Sequence, residues 1–245
     1  SIWLKLLVIC PLVFAAGFAD SIAGGGGVIS LPAYLFAGLP IHMAYGTNKF
    51  AMSIGTFTAA TKYAQSGNIV LKPALCSAAG ALIGSAIGAK LALLIDERYL
   101  RYVLMILLPA VAVFLFCNRK FGSEERSDEL PQSRLYGFSA LIGLGVGCYD
   151  GFFGSGTGTF LTILFTAVLH FSLLKASGNA RLVNCASNIG ALVTYIVNAK
   201  VMFIIGIPAA VCAVIGNALG ASLAIKNGAK IIRPMAAVVI ILLLV

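Results

Sequence analysis

Read for hydrophobic and polar positions alone, the chain is a series of long uncharged runs separated by short polar turns. The first run, Ile2 to about Ala19, predicts an apolar helix that breaks at Gly24-Gly25-Gly26-Gly27. Four glycines in a row cost a helix about 1 kcal/mol each against alanine. Val28 to Ala37 is then too short to cross a bilayer, which needs about 20 residues, and reads as a half-helix or re-entrant arm with Pro32 shaping it. After a turn at 38–42, a helix is expected from about Ala44 to Gln65, ended by Ser66-Gly67-Asn68. Pro73 to Ile95 forms the next, with Gly80, Gly84 and Gly88 four apart on one smooth face. Tyr99 to Phe116 is the fifth hydrophobic element. Residues 118–134 are hydrophilic, hold four of the eight acidic residues, and read as a linker.

Beyond the linker the pattern starts again. Tyr136–Phe153 is a second broken helix and ends at Gly154-Ser155-Gly156-Thr157-Gly158. Phe160–His170 is a second short arm. Ala176–Asn198 and Pro208–Ala224 repeat the next two helices, and the last apolar run follows Arg233. Asp20 and Asp150 precede the two glycine blocks at an offset of 150 − 20 = 130. Gly84 and Gly216 match at 216 − 84 = 132, and so do Arg101 and Arg233. This gives three segments: a first transmembrane repeat (1–117), the linker (118–134) and a second repeat (135–245). An odd number of crossings per repeat inverts the second against the first, with a pseudo-two-fold axis in the membrane plane. The fold class expected is therefore an all-α polytopic membrane protein. It is built of two inverted-topology repeats of about five hydrophobic elements, with broken or re-entrant helices at the glycine breaks.

Composition agrees. Of 245 residues, 60% are hydrophobic and 10% charged, where soluble domains carry about 25% charge; mean hydropathy is +1.01. The net charge of +9 would suggest nucleic acid on a soluble protein. Here it reflects basic loops: eleven Lys and Arg fall on one set of alternate ends, linker included, and six on the other. That makes the first set cytoplasmic and places both termini outside. The N-terminal run is not taken as a signal peptide, because the same pattern recurs mid-chain. The six cysteines are scattered, without C-x-x-C or a Cys/His cluster, and read as small buried hydrophobes. No Walker loop, dinucleotide fingerprint or H-E-x-x-H is present, so neither an enzyme, a metal site nor a cofactor is expected.

Candidate chemistry then narrows to a few positions. Asp20 and Asp150 are the only acids inside apolar runs. An intramembrane carboxylate is costly and most often marks an ion or proton path; the alternative is that each caps backbone N–H groups freed by the glycines. Lys49 and Arg181 are a second matched pair, preceded by Gly46-Thr47-Asn48 and Gly178-Asn179-Ala180 and expected one turn into their helices. A helix start favours anions, and arginine grips an oxyanion bidentately; snorkelling to the interface is the bland reading. The proposed anion site comprises Gly24, Gly25, Gly26, Gly27, Thr47, Asn48, Lys49, Gly154, Ser155, Gly156, Thr157, Gly178, Asn179 and Arg181, with Asp20 and Asp150 for proton coupling. Asn184, Asn188, Ser53, Thr56, Tyr63 and Tyr195 are lesser candidates that more often bond neighbouring helices. His42 and His170 flank turns and read as interfacial residues.

The run from Gly17 to Gly27 with Asp20, then Pro32, Ala44-Tyr45-Gly46-Thr47-Asn48 and Gly67-Asn68-Ile69, resembles the TauE/SafE sulfite-exporter family. The second glycine break and Ala176-Ser177-Gly178 resemble its second repeat, so the likeness covers nearly the whole chain. It implies a secondary transporter of sulfite, thiosulfate, organosulfonates or related small anions, working by alternating access and coupled to protons or membrane potential. It also implies a multi-pass protein of a bacterial-type plasma membrane, with lipid and a small anion as partners and a homodimer left open. The second half departs from the pattern: Ser155 and Thr157 interrupt its glycines and no proline matches Pro32. Two other classes remain, an anion or small-solute channel using the breaks as a filter, and a structural subunit in which polar residues only join helices.

Overall fold

Among the described residues each long apolar run becomes a helix, and each glycine block ends one. The computed structural model describes residues 2–96, residue 99 and residues 130–244, with side chains to Val239. The helices among these are α1 (Ile2–Ala23), α2 (Gly26–Phe36), α3 (Ile41–Gln65), α4 (Leu71–Leu94), α5 (Gln132–Phe152), α6 (Thr157–Ala167), α7 (Leu173–Val197), α8 (Phe203–Asn227) and α9 (Ala229–Leu244). There is no strand among the described residues. The fifth hydrophobic element of the first half, Cys117, most of the linker and Arg101 lie outside them.

By length and apolarity α1, α4, α7 and α8 can each cross a membrane. α3 is as long as α7 and α8, at 25 residues, and carries more polar positions. The arms α2 and α6 have 11 residues each. At 1.5 Å per residue that is about 16 Å, half of a ~30 Å hydrocarbon core. The expected half-helices are present. α1 starts at Ile2 as expected; α3, α5, α7 and α8 start three to five residues earlier than the apolar pattern places them, and α4 and the arms two or three. The chain enters a helix at the turn residues themselves: Pro40 is the N-cap of α3 and Ser172 that of α7.

The most extensive helix pairs are α4 with α5 and α1 with α8. Both depend on the glycine faces. A Cβ on Gly84 would strike the Leu144 carbonyl, and one on Gly88 that of Cys148. A Cβ on Gly216 would strike the Phe14 carbonyl, and one on Gly220 would meet Ser21 Oγ and Phe18 O. The two contacts are the same one repeated, at 144 − 14 = 130 on one side and 216 − 84 = 132 on the other. α3 and α7 stand between these pairs, packed on one another, α3 also on α8 and α7 also on α4. Thus the first helix of each half packs against the fourth helix of the other. Outward faces of α1, α4, α5 and α8 carry Leu7, Ile83, Leu141, Ile207 and Val211, exposed as a lipid-facing surface requires.

Close backbone approach makes the glycine faces intolerant of bulk. Gly84→Leu and Gly216→Leu are each expected to lower stability by about 2 kcal/mol or more through overpacking. Gly145→Leu, with nothing within 4 Å of its Cβ position, should be neutral. Thermal unfolding of the three variants in detergent checks this.

Candidate functional site

The two breaks meet at the centre of the molecule. α1 ends at Ala23 and α2 restarts at Gly26; α5 ends at Phe152 and α6 restarts at Thr157. Gly24 and Gly154, at matched positions, have φ of +92° and +79°. Only glycine adopts that left-handed region without strain. The carbonyl of Gly24 accepts hydrogen bonds from the N–H groups of Gly158 (3.1 Å) and Thr159 (3.3 Å), and Thr159 Oγ1 donates to the Ala23 carbonyl (2.8 Å). Gly27 abuts the Gly154 carbonyl. The breaks thus satisfy part of each other's backbone, as unwound chain in a membrane must.

Around this contact lie four buried charges. Asp20, Lys49, Asp150 and Arg181 are 3%, 2%, 1% and 0% exposed. Each cation is paired with the carboxylate of the opposite half. Lys49 Nζ reaches Asp150 Oδ2 at 2.6 Å and also donates to Asn188 Oδ1 at 3.0 Å. Arg181 Nη1 lies 3.4 Å from Asp20 Oδ2 and donates to the Asp20 main-chain carbonyl. Lys49 and Arg181 are 181 − 49 = 132 residues apart, so the two pairs repeat the pseudo-symmetry of the helix contacts. Burial at this depth leaves no room for snorkelling.

Both cations also border the second break. A Cβ on Gly154 would lie 3.3 Å from Lys49 Nζ, and Arg181 Nη1 and Nη2 rest against Gly158. The carboxylates also take other donors. Asp20 Oδ1 accepts the N–H of Gly26, the first residue of α2, at 3.2 Å, and Asn184 Nδ2 donates to Oδ2 at 3.4 Å. Asp150 accepts from Thr157 Oγ1 at 2.8 Å and from Ser187 Oγ at 2.5 Å. Asp20 therefore both holds a backbone N–H freed by the break and pairs with Arg181, whereas Asp150 takes side-chain donors alone.

The structure places some expected residues elsewhere. Thr47 Oγ1 accepts the N–H of Met202, the N-cap of α8 (3.0 Å), and Asn179 Oδ1 accepts that of Val70, the N-cap of α4 (3.2 Å). Asn179 Nδ2 is taken by the Lys175 carbonyl. Gly46 and Gly178 are pressed against the carbonyls of Lys200 and Asn68. These four serve helix docking, again in matched pairs. Asn48 is buried, and its Oδ1 has no partner among the described residues. Lys49 and Arg181 are not one turn into their helices. They lie 49 − 41 = 8 and 181 − 173 = 8 residues from the starts of α3 and α7, about 12 Å along the axis. The helix N-termini that face the charges are those of the short arms, which begin at Gly26 and Thr157.

Ser187 and Thr159 were not expected at the site. A signal for Ser187 exists: Arg181, Asn184 and Ser187/Asn188 follow i, i+3 and i+6/i+7 spacing along one face of α7, and Lys49, Ser53 and Thr56 do the same on α3. These polar stripes face each other, and Asn188 Nδ2 donates to Thr56 Oγ1 at 3.4 Å. Cys10, Cys76, Cys148, Cys185 and Cys212 are free, and only Cys185 is fully buried. No cluster suited to a metal occurs among the described residues.

Comparison with known proteins shows the family. The family profile described as "Sulfite exporter TauE/SafE" matches residues 9–245. The chain is 35% identical over 238 residues to the "Probable membrane transporter protein YfcA" of Escherichia coli K12, covering 96% of this chain and 87% of that one. It is 34% identical over 230 residues to the "Probable membrane transporter protein ORF9" of a Sinorhizobium species, with 94% and 87% covered. A probable membrane transporter protein of Haemophilus influenzae is 32% identical over 230 residues, with 94% and 89% covered. No solved structure matches.

Breaking one member of a buried ion pair strands the other charge, which costs about 3–5 kcal/mol, whereas removing both is far milder. Lys49→Met is expected to destabilise by about that much, and adding Asp150→Asn should recover most of it. Denaturant unfolding of the two single variants and the double variant measures the coupling. Additive losses would mean that the pair does not exist.

Proposed function

Since the chain belongs to the sulfite exporter TauE/SafE family, we propose that it is a secondary carrier of a small sulfur-containing oxyanion, such as sulfite, thiosulfate or an organosulfonate, working by alternating access. It is an integral multi-pass membrane protein and a transporter rather than an enzyme. The carrying observation is that two buried cations border one glycine break while each is held by an aspartate from the other half. An oxyanion is attracted by the same cations and by the N-terminal turns of α2 and α6. In this reading the two halves, 1–117 and 135–245, are inverted repeats that rock about the crossed breaks. The matched contacts of α1 with α8 and α4 with α5 support it.

The swapped pairs supply a coupling mechanism. An anion that takes Lys49 or Arg181 displaces the aspartate from its cation. A buried carboxylate without a counter-charge is several kcal/mol too high in energy, and it relaxes by binding a proton. Loading the anion then loads a proton on Asp20 or Asp150, and release of one releases the other. Gly24, Gly25, Gly154, Ser155 and Gly156 contribute unwound backbone around the anion, and Gly26, Gly27 and Thr157 the first turns of α2 and α6. A carrier fits better than a channel: the Gly24 carbonyl bonded to Gly158 and Thr159 closes the breaks on each other, where a filter needs them open.

Uptake of labelled thiosulfate or sulfite into proteoliposomes tests the reading. Lys49→Ala and Arg181→Ala should each slow it by about a hundredfold, the worth of roughly 3 kcal/mol of charged hydrogen bonding. Asp20→Asn and Asp150→Asn should reduce the proton flux that accompanies it. Undiminished uptake in both cation variants rejects the site, and uptake that never saturates favours a channel.

A further inference from the structure

The two ion pairs are matched in sequence but not in bonding. Asp150 is held tightly, by Lys49 at 2.6 Å, Ser187 at 2.5 Å and Thr157 at 2.8 Å, and Lys49 has a second acceptor in Asn188 at 3.0 Å. Charge-assisted N–H···O bonds in proteins are about 2.7–2.9 Å long, so this half is tightly bonded, with two of the three Lys49 donors engaged. Asp20 is held loosely: its three side-chain contacts, to Gly26 N, Asn184 Nδ2 and Arg181 Nη1, measure 3.2, 3.4 and 3.4 Å.

Arg181 has donors to spare. Its Nε reaches the Ser177 carbonyl at 3.4 Å and its Nη1 serves Asp20, but Nη2 has no hydrogen-bond partner among the described residues. The side chain is fully buried, and this nitrogen lies against Gly158 in the first turn of α6. One helical turn before Arg181, the hydroxyl of Ser177 is likewise buried and unpartnered. A narrow apolar crevice between α1, α6, α7 and α9 is lined chiefly by Ala23, Thr159, Thr162, Ile163, Leu173 and Ile232. Ala23 and Thr159 are the immediate neighbours of Gly24 and Gly158, so the crevice adjoins the break.

We propose that the halves have unequal roles: the anion docks first on Arg181, through Nη2, the Ser177 hydroxyl and the first turn of α6, while Lys49–Asp150 stays locked and opens only later in the cycle. This rests on the carrier reading above and assigns its first docking site. A ligand there needs at least two oxygens on one centre, because Arg181 presents a planar fork of donors rather than a single point charge. Sulfite, thiosulfate and sulfonates satisfy this and halides do not.

Thermal shift of the purified full chain, titrated with sulfite, thiosulfate, methanesulfonate and chloride, gives the test. The charge-neutral double variant Asp20→Asn/Arg181→Gln should weaken half-saturation by roughly tenfold or more, the loss of a charged hydrogen bond. Asp150→Asn/Lys49→Gln should keep it within about threefold while transport stops. Ser177→Ala should weaken it about threefold, and Tyr45→Phe, at the matched position of the other half (177 − 45 = 132), should not change it. If a double variant fails to fold, the two single variants decide. Equal losses in both halves, or a Ser177→Ala protein that binds like wild type, overturn the unequal roles and leave the carrier reading standing. No shift with any oxyanion in the wild-type protein sinks both.

Discussion

A charge cannot be left alone in a low-dielectric interior, and this chain buries four. Asp20, Lys49, Asp150 and Arg181 are almost wholly shielded, so each must have its counter-charge at hand. Neither half supplies that counter-charge to itself. Lys49 on α3 is neutralised by Asp150 on α5, and Arg181 on α7 by Asp20 on α1. The halves are consequently incomplete apart, and the same two pairs that interlock them also sit against the backbone breaks.

Backbone polarity imposes the same condition. Unwound chain within a membrane needs hydrogen-bond partners from protein, and again they come from across the molecule. The Gly24 carbonyl is served by Gly158 and Thr159. The N-caps of α4 and α8 are served by Asn179 and Thr47. Such exchange requires very close approach, which the glycine faces of α4 and α8 permit against α5 and α1. Small residues, polar caps and ion pairs are three answers to one problem, the lack of water as a partner.

An arrangement held by exchangeable pairs is also one that a solute can reopen. A small oxyanion competes with a carboxylate on equal chemical terms, since both offer oxygen acceptors to Lys or Arg. The long contacts around Asp20 and the short ones around Asp150 mean that such competition meets different resistance in the two halves. Near-symmetry in sequence thus coexists with a difference in bond lengths that only coordinates reveal.

Much of the helical layout was legible in the sequence because lipid enforces simple rules. Length and apolarity place the spans, glycine blocks break them, and the run after each block is too short to cross. The matched positions of Asp20 with Asp150 and Lys49 with Arg181 are visible as offsets of 130 and 132. What the sequence could not disclose is who faces whom. Thr47 and Asn179 read as ligand-binding residues, and their side chains hold the N-cap N–H groups of α8 and α4. The helix starts fell early because Pro40 and Ser172 cap α3 and α7 from within the turns. The pairing of each cation with the other half's aspartate was settled by tertiary packing alone. Residues more than 100 positions apart are joined there by helix crossing, and neither local periodicity nor propensity carries that information. The sequence determined which charges and unwound segments had to be buried; the fold decided which of them satisfy one another.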